Sequence, residues 1–521
     1  MQNNQQKFSI IKSAFKKKST EELISASKHS ELKKTLNVFD LIVLGIGAVV
    51  GTGIFTIVGI AAQGGNGGIA AGPSLVVSMV IAAVACVFSA LCYSEFASMI
   101  PVAGSAYTYT YATMGEFMAW MVGWILMLEY AIGNITVASA WTGYFMQFLK
   151  GFEHILPSWM VNPPIWLIND YRSALAICNK DGINPHDVIP YIAGVIPVSI
   201  NLPAIAIVVL LTLLLIKGVK ESTKVATVMV CLNLFIIISF ILVGAFYVKP
   251  ENWVPFAPNG IEGILSGAFI IFFAYIGFDA ISTAAEETKN PQRDLPIGIL
   301  GTLILCTILY VAAAFVLTGM VNYTVIDIQA PIASAMRFVG QNKLAGLISV
   351  GALAGLTSVL LVYQLGTTRI LYAICRDKFL PKGFRRIHRH NRTPYVLTWV
   401  SAIVVILGSL IMDLKISAEL CNFGTFLSFI IVCTAVMILR KTEPDRPRAF
   451  KVPFVPLFPI LGILMSGGLM IYSLNTLKTS SVWFLIWLVT GFLIYAMYGY
   501  KQKRLEERRK AFYQKEVQQQ K

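Results

Sequence analysis

The sequence is poor in charge. Asp, Glu, Lys and Arg make up 13% of its 521 residues, about half the 25% usual in soluble domains. It also lacks the constellations that carry enzyme chemistry. All five histidines (His29, His154, His186, His388 and His390) lie in polar stretches. Seven of the eight cysteines sit in or at the ends of apolar runs, and Cys178 stands alone in a polar segment. No metal-ligand spacing, disulfide framework or Cys/His nucleophile pair results. Residues 1–38 hold no short apolar core with a cleavage site, so no removable signal peptide is expected there. These absences exclude a disulfide-stapled domain, leave no metal site and no cofactor to place, and argue against an enzyme. The net charge of +15 does not indicate nucleic acid, because the basic residues occupy short loops between apolar runs, a signal of membrane topology.

What the chain has in abundance is apolar length: 56% hydrophobic residues and a mean hydropathy of +0.69. A bilayer-crossing helix needs about 20 apolar residues. Twelve candidate spans follow, at about 39–62, 73–99, 117–148, 202–216, 225–247, 263–285, 296–320, 345–374, 395–412, 418–439, 457–476 and 481–499. The expected fold class is an all-α membrane protein. Its expected divisions are a basic N-terminal segment (1–38), a ten-span core (39–440) with a polar insertion (149–200), two additional spans (441–499) and a basic tail (500–521). Residues 100–116 are too polar to span and too apolar for an ordinary loop, which suits a re-entrant segment. Segment 19–35 reads equally as a surface helix or a disordered tail. Of the 42 Lys and Arg, 33 fall on the side of the termini, 8 on the other, and Arg369 lies inside span 8. Basic residues accumulate on the cytoplasmic side, so both termini are expected there, in a multi-pass protein of the cell membrane.

Span 1 reads FDLIVLGIGAVVGTGIFTIVGIAA, with Gly45, Gly47, Gly51 and Gly53 in nine central positions. Each costs roughly 1 kcal/mol of helix stability relative to alanine. Freed backbone groups at mid-membrane survive only where they line a cavity or meet a ligand. The competing reading is close helix packing through Gly47 and Gly51. A second interrupted span, FFAYIGFD at 272–279 with Gly277 and the intramembrane Asp279, favours the break. Two broken helices at matching places in two halves of a chain mark the substrate site of an inverted-repeat transporter.

Four stretches carry a family resemblance: FDLIVLGIGAVVGTGIF (39–55), YSEFASMIPVAGSAYTYTYATMGEFMAWMVGW (93–124), FFAYIGFDAISTAAEETKNPQRDLPIGI (272–299) and TTRILYAICRDKFLP (367–381). The sequence resembles the amino acid–polyamine–organocation transporters, in their cationic-amino-acid-transporter-like branch with its bacterial permeases. The resemblance implies a leucine-transporter-like fold: spans 1–5 and 6–10 as 5+5 inverted repeats, with spans 1 and 6 unwound. It implies transport of L-amino acids by alternating access. The amides of Thr52 and Gly53 would hold the substrate carboxylate, as suits the positive end of a helix. The carbonyls of Val49, Phe273, Ala274 and Ile276 would receive the ammonium.

Phe278 is a candidate outer gate, or a packed core phenylalanine. Tyr363, by resemblance, lies where residue size separates neutral from cationic substrates, and its bulk favours neutral ones. Glu129 argues the other way, since an acidic wall suits a cation. An intramembrane carboxylate is a functional candidate by default, so Glu129 is the coupling candidate if protons are co-transported. Its alternative is a structural, permanently protonated acid. Asn233 stands where proton-coupled bacterial relatives carry a lysine, which puts coupling through span 5 in doubt. The other readings are a uniporter or exchanger of cationic amino acids, a nutrient sensor on the same scaffold, and a channel. A sensor would add a large soluble region, and a channel would show repeated filter loops; neither is present in the sequence. The expected partners are an amino acid substrate, the lipid bilayer, protons if uptake is coupled, and a small membrane accessory subunit if one assembles.

Overall fold

The computed structural model describes residues 17–19, 21, 34, 36–64, 68–102, 104–192, 196–328, 330–377, 379–388, 391 and 393–499. Segment 19–35 and the tail from 500 therefore lie almost wholly outside the described residues.

The first span is split in two. α1 (Val38–Val49) opens on a capping box in which Asn37 and Asp40 each bond the other's backbone amide, satisfying two donors that a helix start leaves open. It stops where Val50 turns extended, at φ −83° and ψ 93°. A wide turn over Gly53–Ile57 leads into α2 (Val58–Gln63), closed by left-handed Gly64. α3 (Leu75–Met99) is long and apolar enough to span, and α4 (Ala106–Thr113) is a short buried helix between it and the next. α5 (Glu116–Lys150) is long enough to cross obliquely. The insertion folds around α6 (Tyr171–Asp181), capped by Asp170, and a two-stranded ribbon, β1 (Tyr191–Ile192) with β2 (Ile196–Pro197).

α7 (Leu202–Lys217) and α8 (Val219–Gly244) follow. The sixth span is again split. α9 (Gly260–Phe272) ends in a tight turn, Ile276 is extended, and Gly277 takes φ +117° before the single turn α10 (Ala280–Thr283). A Cβ at Gly277 would stand 2.9 Å from Ala48 O, so glycine is required there by conformation and by space. The chain continues through α11 (Pro291–Met320), α12 (Pro331–Phe338), α13 (Asn342–Arg376), α14 (Tyr395–Ile411), α15 (Leu414–Thr442), α16 (Leu457–Thr476) and α17 (Lys478–Ile494).

Among the described residues, ten helical stretches are long and apolar enough to cross a membrane. Spans 4 and 9 are the shorter apolar helices α7 and α14, of 16 and 17 residues. At 1.5 Å per residue these reach only about 25 Å, short of a hydrocarbon core of roughly 30 Å.

The stretch from Val38 to Gln63 is 89% buried over its most apolar window, as is α5, against 28% for α16 and for the last span. The broken first span is thus the centre, packed against α11, α13 and α8, with α9 against its second half. The last two spans form the rim. α17 is tied on by Trp124 and Trp487, which stack at 4.5 Å and each donate to the other's carbonyl. The link from α15 to α16 is held by Glu95 of α3, which accepts two bonds from Arg440 and one from the Val452 amide, all at 2.7 Å.

Candidate functional site

The two breaks abut. A Cβ on Gly53 would lie 2.3 Å from the Ala274 Cβ, and one on Gly51 would lie 2.5 Å from Val359 on α13. Both glycines are therefore packing contacts as well as loosened backbone. The freed groups divide by type. The amides of Thr52 and Gly53 donate to no backbone carbonyl among the described residues, and the buried Thr52 hydroxyl has no partner there either.

The freed carbonyls are met by side chains from neighbouring helices. The Tyr310 hydroxyl of α11 donates towards both Val49 O (2.8 Å) and Ala274 O (3.0 Å), joining the two breaks through one atom. Tyr363 of α13 donates to Ile276 O at 3.0 Å. Asn233 of α8 donates to Val50 O at 2.8 Å, and its side-chain oxygen has no partner. Phe273 O accepts from the Ile276 amide within its own turn. Each carbonyl oxygen has two lone pairs, so a further donor can still be received.

A buried acidic pair flanks this backbone. Tyr130 donates to one oxygen of Asp279 at 2.7 Å, and the other has no partner. Both oxygens of Glu129 lack a hydrogen-bond partner, while Thr425 beside it donates to Cys421 O at 3.0 Å. Both side chains are 1% exposed, and a buried charge is costly unless it is paired.

The amino acid permease family matches this chain over residues 36–495. The chain belongs to that family. A branched-chain amino acid permease, BcaP, of Bacillus subtilis is 43% identical over 498 residues, covering 95% of this chain and 99% of the relative. A methylthioribose transporter of the same organism is 40% identical over 499 residues, covering 95% and 100%. A chloroplastic cationic amino acid transporter of Arabidopsis thaliana is 36% identical over 426 residues, covering 82% and 70%. This permease is accordingly a multi-pass membrane protein whose relatives are transporters.

In the permease, Phe278 lies fully buried in an aromatic cluster, 6.0 Å from the Tyr93 ring and 5.3 Å from Phe429. Tyr310 and Tyr130 were missed in the sequence, as was Tyr144, which holds Phe55 O. A tyrosine in an apolar span reads as interfacial or packed, and only the partner's position reveals a carbonyl acceptor. On the face of the N-terminal segment, Arg369 bonds Glu287 and Thr283, and Leu36 pairs with Thr288 as an isolated bridge. Lys18 ion-pairs with Asp377, which also accepts from Tyr107 at 2.7 Å.

Proposed function

We propose that this permease transports L-amino acids across the cell membrane by alternating access, with neutral apolar amino acids favoured and both termini in the cytoplasm. The observation that carries this reading is the juxtaposition of unpaired amides at Thr52 and Gly53 with a row of carbonyls on the adjoining break. Such a surface suits a carboxylate on one side and an ammonium on the other. The substrate ammonium would be received at Val49, Phe273, Ala274 and Ile276, and its side chain would face Tyr363.

The leucine-transporter-like arrangement, five spans inverted against five with two appended, is part of the same proposal. It is supported by the matching breaks in the first and sixth spans, and by the reciprocal packing of Tyr130 and Tyr363 over Gly366 and Gly133 between α5 and α13. Glu129 is the proposed coupling group and Asn233 a non-titrating tether of the first break. Phe278 would act as a gate only by leaving its aromatic cluster. The name of the 43% identical relative supports branched apolar substrates.

The methylthioribose transporter supplies a second reading, and the plant relatives a third, cationic amino acids. The test is uptake into proteoliposomes of the twenty amino acids, methylthioribose, and the amide of the best amino acid. Uptake of a neutral amino acid but not its amide supports the carboxylate site. Uptake of methylthioribose alone would remove it.

A further inference from the structure

A cavity of about 630 Å³ lies between the insertion and the membrane core, on the face opposite the N-terminal segment. Its walls come from the end of α5, from α6 and the turns before it, from Asn201, and from the start of α15; Thr56 and Ile60 of the broken first span reach it from below. Thr56 is one turn beyond Thr52. Its hydroxyl and that of Ser139, also on the wall, have no hydrogen-bond partner, and Thr56 is only 2% exposed. Buried polar atoms are normally satisfied, so two orphaned hydroxyls on one cavity wall point to something polar that occupies it.

The lining has three parts. Asp170 and Asp413 supply negative charge, and each commits one oxygen to a helix cap, on the Ser173 and Ile416 amides. Lys150 and Arg172 supply positive charge, and neither forms an ion pair among the described residues. Met146, Ile168 and Ile177 supply apolar surface. Burial, with the like charge of Asp413 adding to it, holds the Asp170 carboxyl above its ordinary range, which a cationic ligand group would relieve. The buried Asp170 favours a cationic ligand group, and Lys150 and Arg172, both exposed, offer positive charge to a ligand carboxylate without requiring one. A zwitterion with an apolar tail matches all three.

We propose that this cavity is a second, outer binding site for the zwitterionic amino acid, its ammonium towards Asp170 and Asp413, its carboxylate towards Lys150 and Arg172, and its side chain against Met146, Ile168 and Ile177. It rests on the transport function proposed above. The insertion forms one wall, and the second half of the broken span forms the floor, so the site stands directly above the helix that holds the inner one.

The test is equilibrium binding of radiolabelled L-leucine to the purified full chain, with uptake measured on the same variants. Should uptake select another amino acid, that one is the probe. The parent is expected to bind two molecules per chain. The Asp170→Asn/Arg172→Gln double variant should bind one, keep its maximal uptake rate, and show a KM raised at least about tenfold, because a charged hydrogen bond is lost at each end of the ligand. Gly53→Leu should also bind one, at the outer site. A parent that binds one molecule, kept by the double variant with unchanged KM, overturns the proposal even if Gly53→Leu fails to fold. A parent that neither binds nor transports any amino acid sinks the transport reading itself, a distinct outcome.

Discussion

The rings of Tyr130 and Tyr363 meet edge to face at 5.5 Å, and each lies over a glycine of the other's helix. A Cβ on Gly133 would come within 2.7 Å of the Tyr363 ring, and one on Gly366 within 2.8 Å of the Tyr130 ring. In sequence the two are Tyr-Ala-Ile-Gly (130–133) on α5 and Tyr-Gln-Leu-Gly (363–366) on α13. The exchange is what two helices related by a twofold-like operation make, since each then offers the other the same pair at the same spacing. Both tyrosines end on the second break: Tyr130 on Asp279 and Tyr363 on Ile276 O.

Filling either notch should therefore displace a ring that holds the break. Gly133→Ala and Gly366→Ala are expected to destabilise the purified protein by about 1–3 kcal/mol, the usual cost of overpacking. Thermal unfolding should show similar losses for both, because the notches are equivalent. A neutral result at either position would mean the helices part freely there.

Tyr363→Ser should enlarge the space by the second break and admit amino acids with longer side chains. Discrimination should relax by a few kcal/mol at most, because an apolar pocket separates substrates no more sharply than that. Tyr363→Phe keeps the bulk and loses only the bond to Ile276 O, so its substrate profile should match the parent. A profile unchanged in the serine variant would take Tyr363 out of the site.

At the contact between breaks even one methyl group is too many. Gly53→Ala would set its Cβ 2.3 Å from that of Ala274. It and Gly53→Leu should abolish amino acid binding at the inner site while the protein still inserts. Retained inner-site binding, measured in the Asp170→Asn/Arg172→Gln background, would show that the breaks can separate without loss.

Any proton coupling is expected to run through Glu129, whose oxygens have no hydrogen-bond partner. An imposed inward proton gradient should accelerate uptake by the parent and not by Glu129→Gln. Equal acceleration of both would assign coupling elsewhere, with Asp279 next in line. Acceleration of neither would make the protein a uniporter or an exchanger.

The insertion should respond to pH. The Asp170 carboxyl is raised by burial and by Asp413, so the folded insertion favours its protonated form. Its stabilising contribution is full below the unfolded-state value, about 3.9, and is lost as pH rises through the higher folded value. Hydrogen exchange in α6, corrected for intrinsic rates, should accordingly show protection falling as pH rises through that window. In Asp170→Asn the trend should vanish.

The sequence alone determined the membrane class, the approximate position of the long apolar helices and the places where two spans break. All of these are local properties: hydropathy over about 20 residues, and glycine where a helix cannot afford it. A resemblance carried by those same short motifs also pointed to Val49, Thr52, Gly53, Phe273, Ala274 and Ile276, which lie at the breaks, but not to Val50. What local sequence could not say was who answers those groups. Tyr310 is 261 residues from Val49, Asn233 is 183 from Val50, and Tyr363 is 87 from Ile276. A hydrogen bond leaves no periodicity behind, so these pairings exist only once the helices have packed. The same holds for the notches at Gly133 and Gly366, which read as ordinary small residues until the opposing ring is in place. The cavity under the insertion was likewise decided by tertiary structure, because residues 139–177, which supply most of its wall, enclose it only together with Thr56, Ile60, Asn201, Ile328 and Asp413 from elsewhere in the chain.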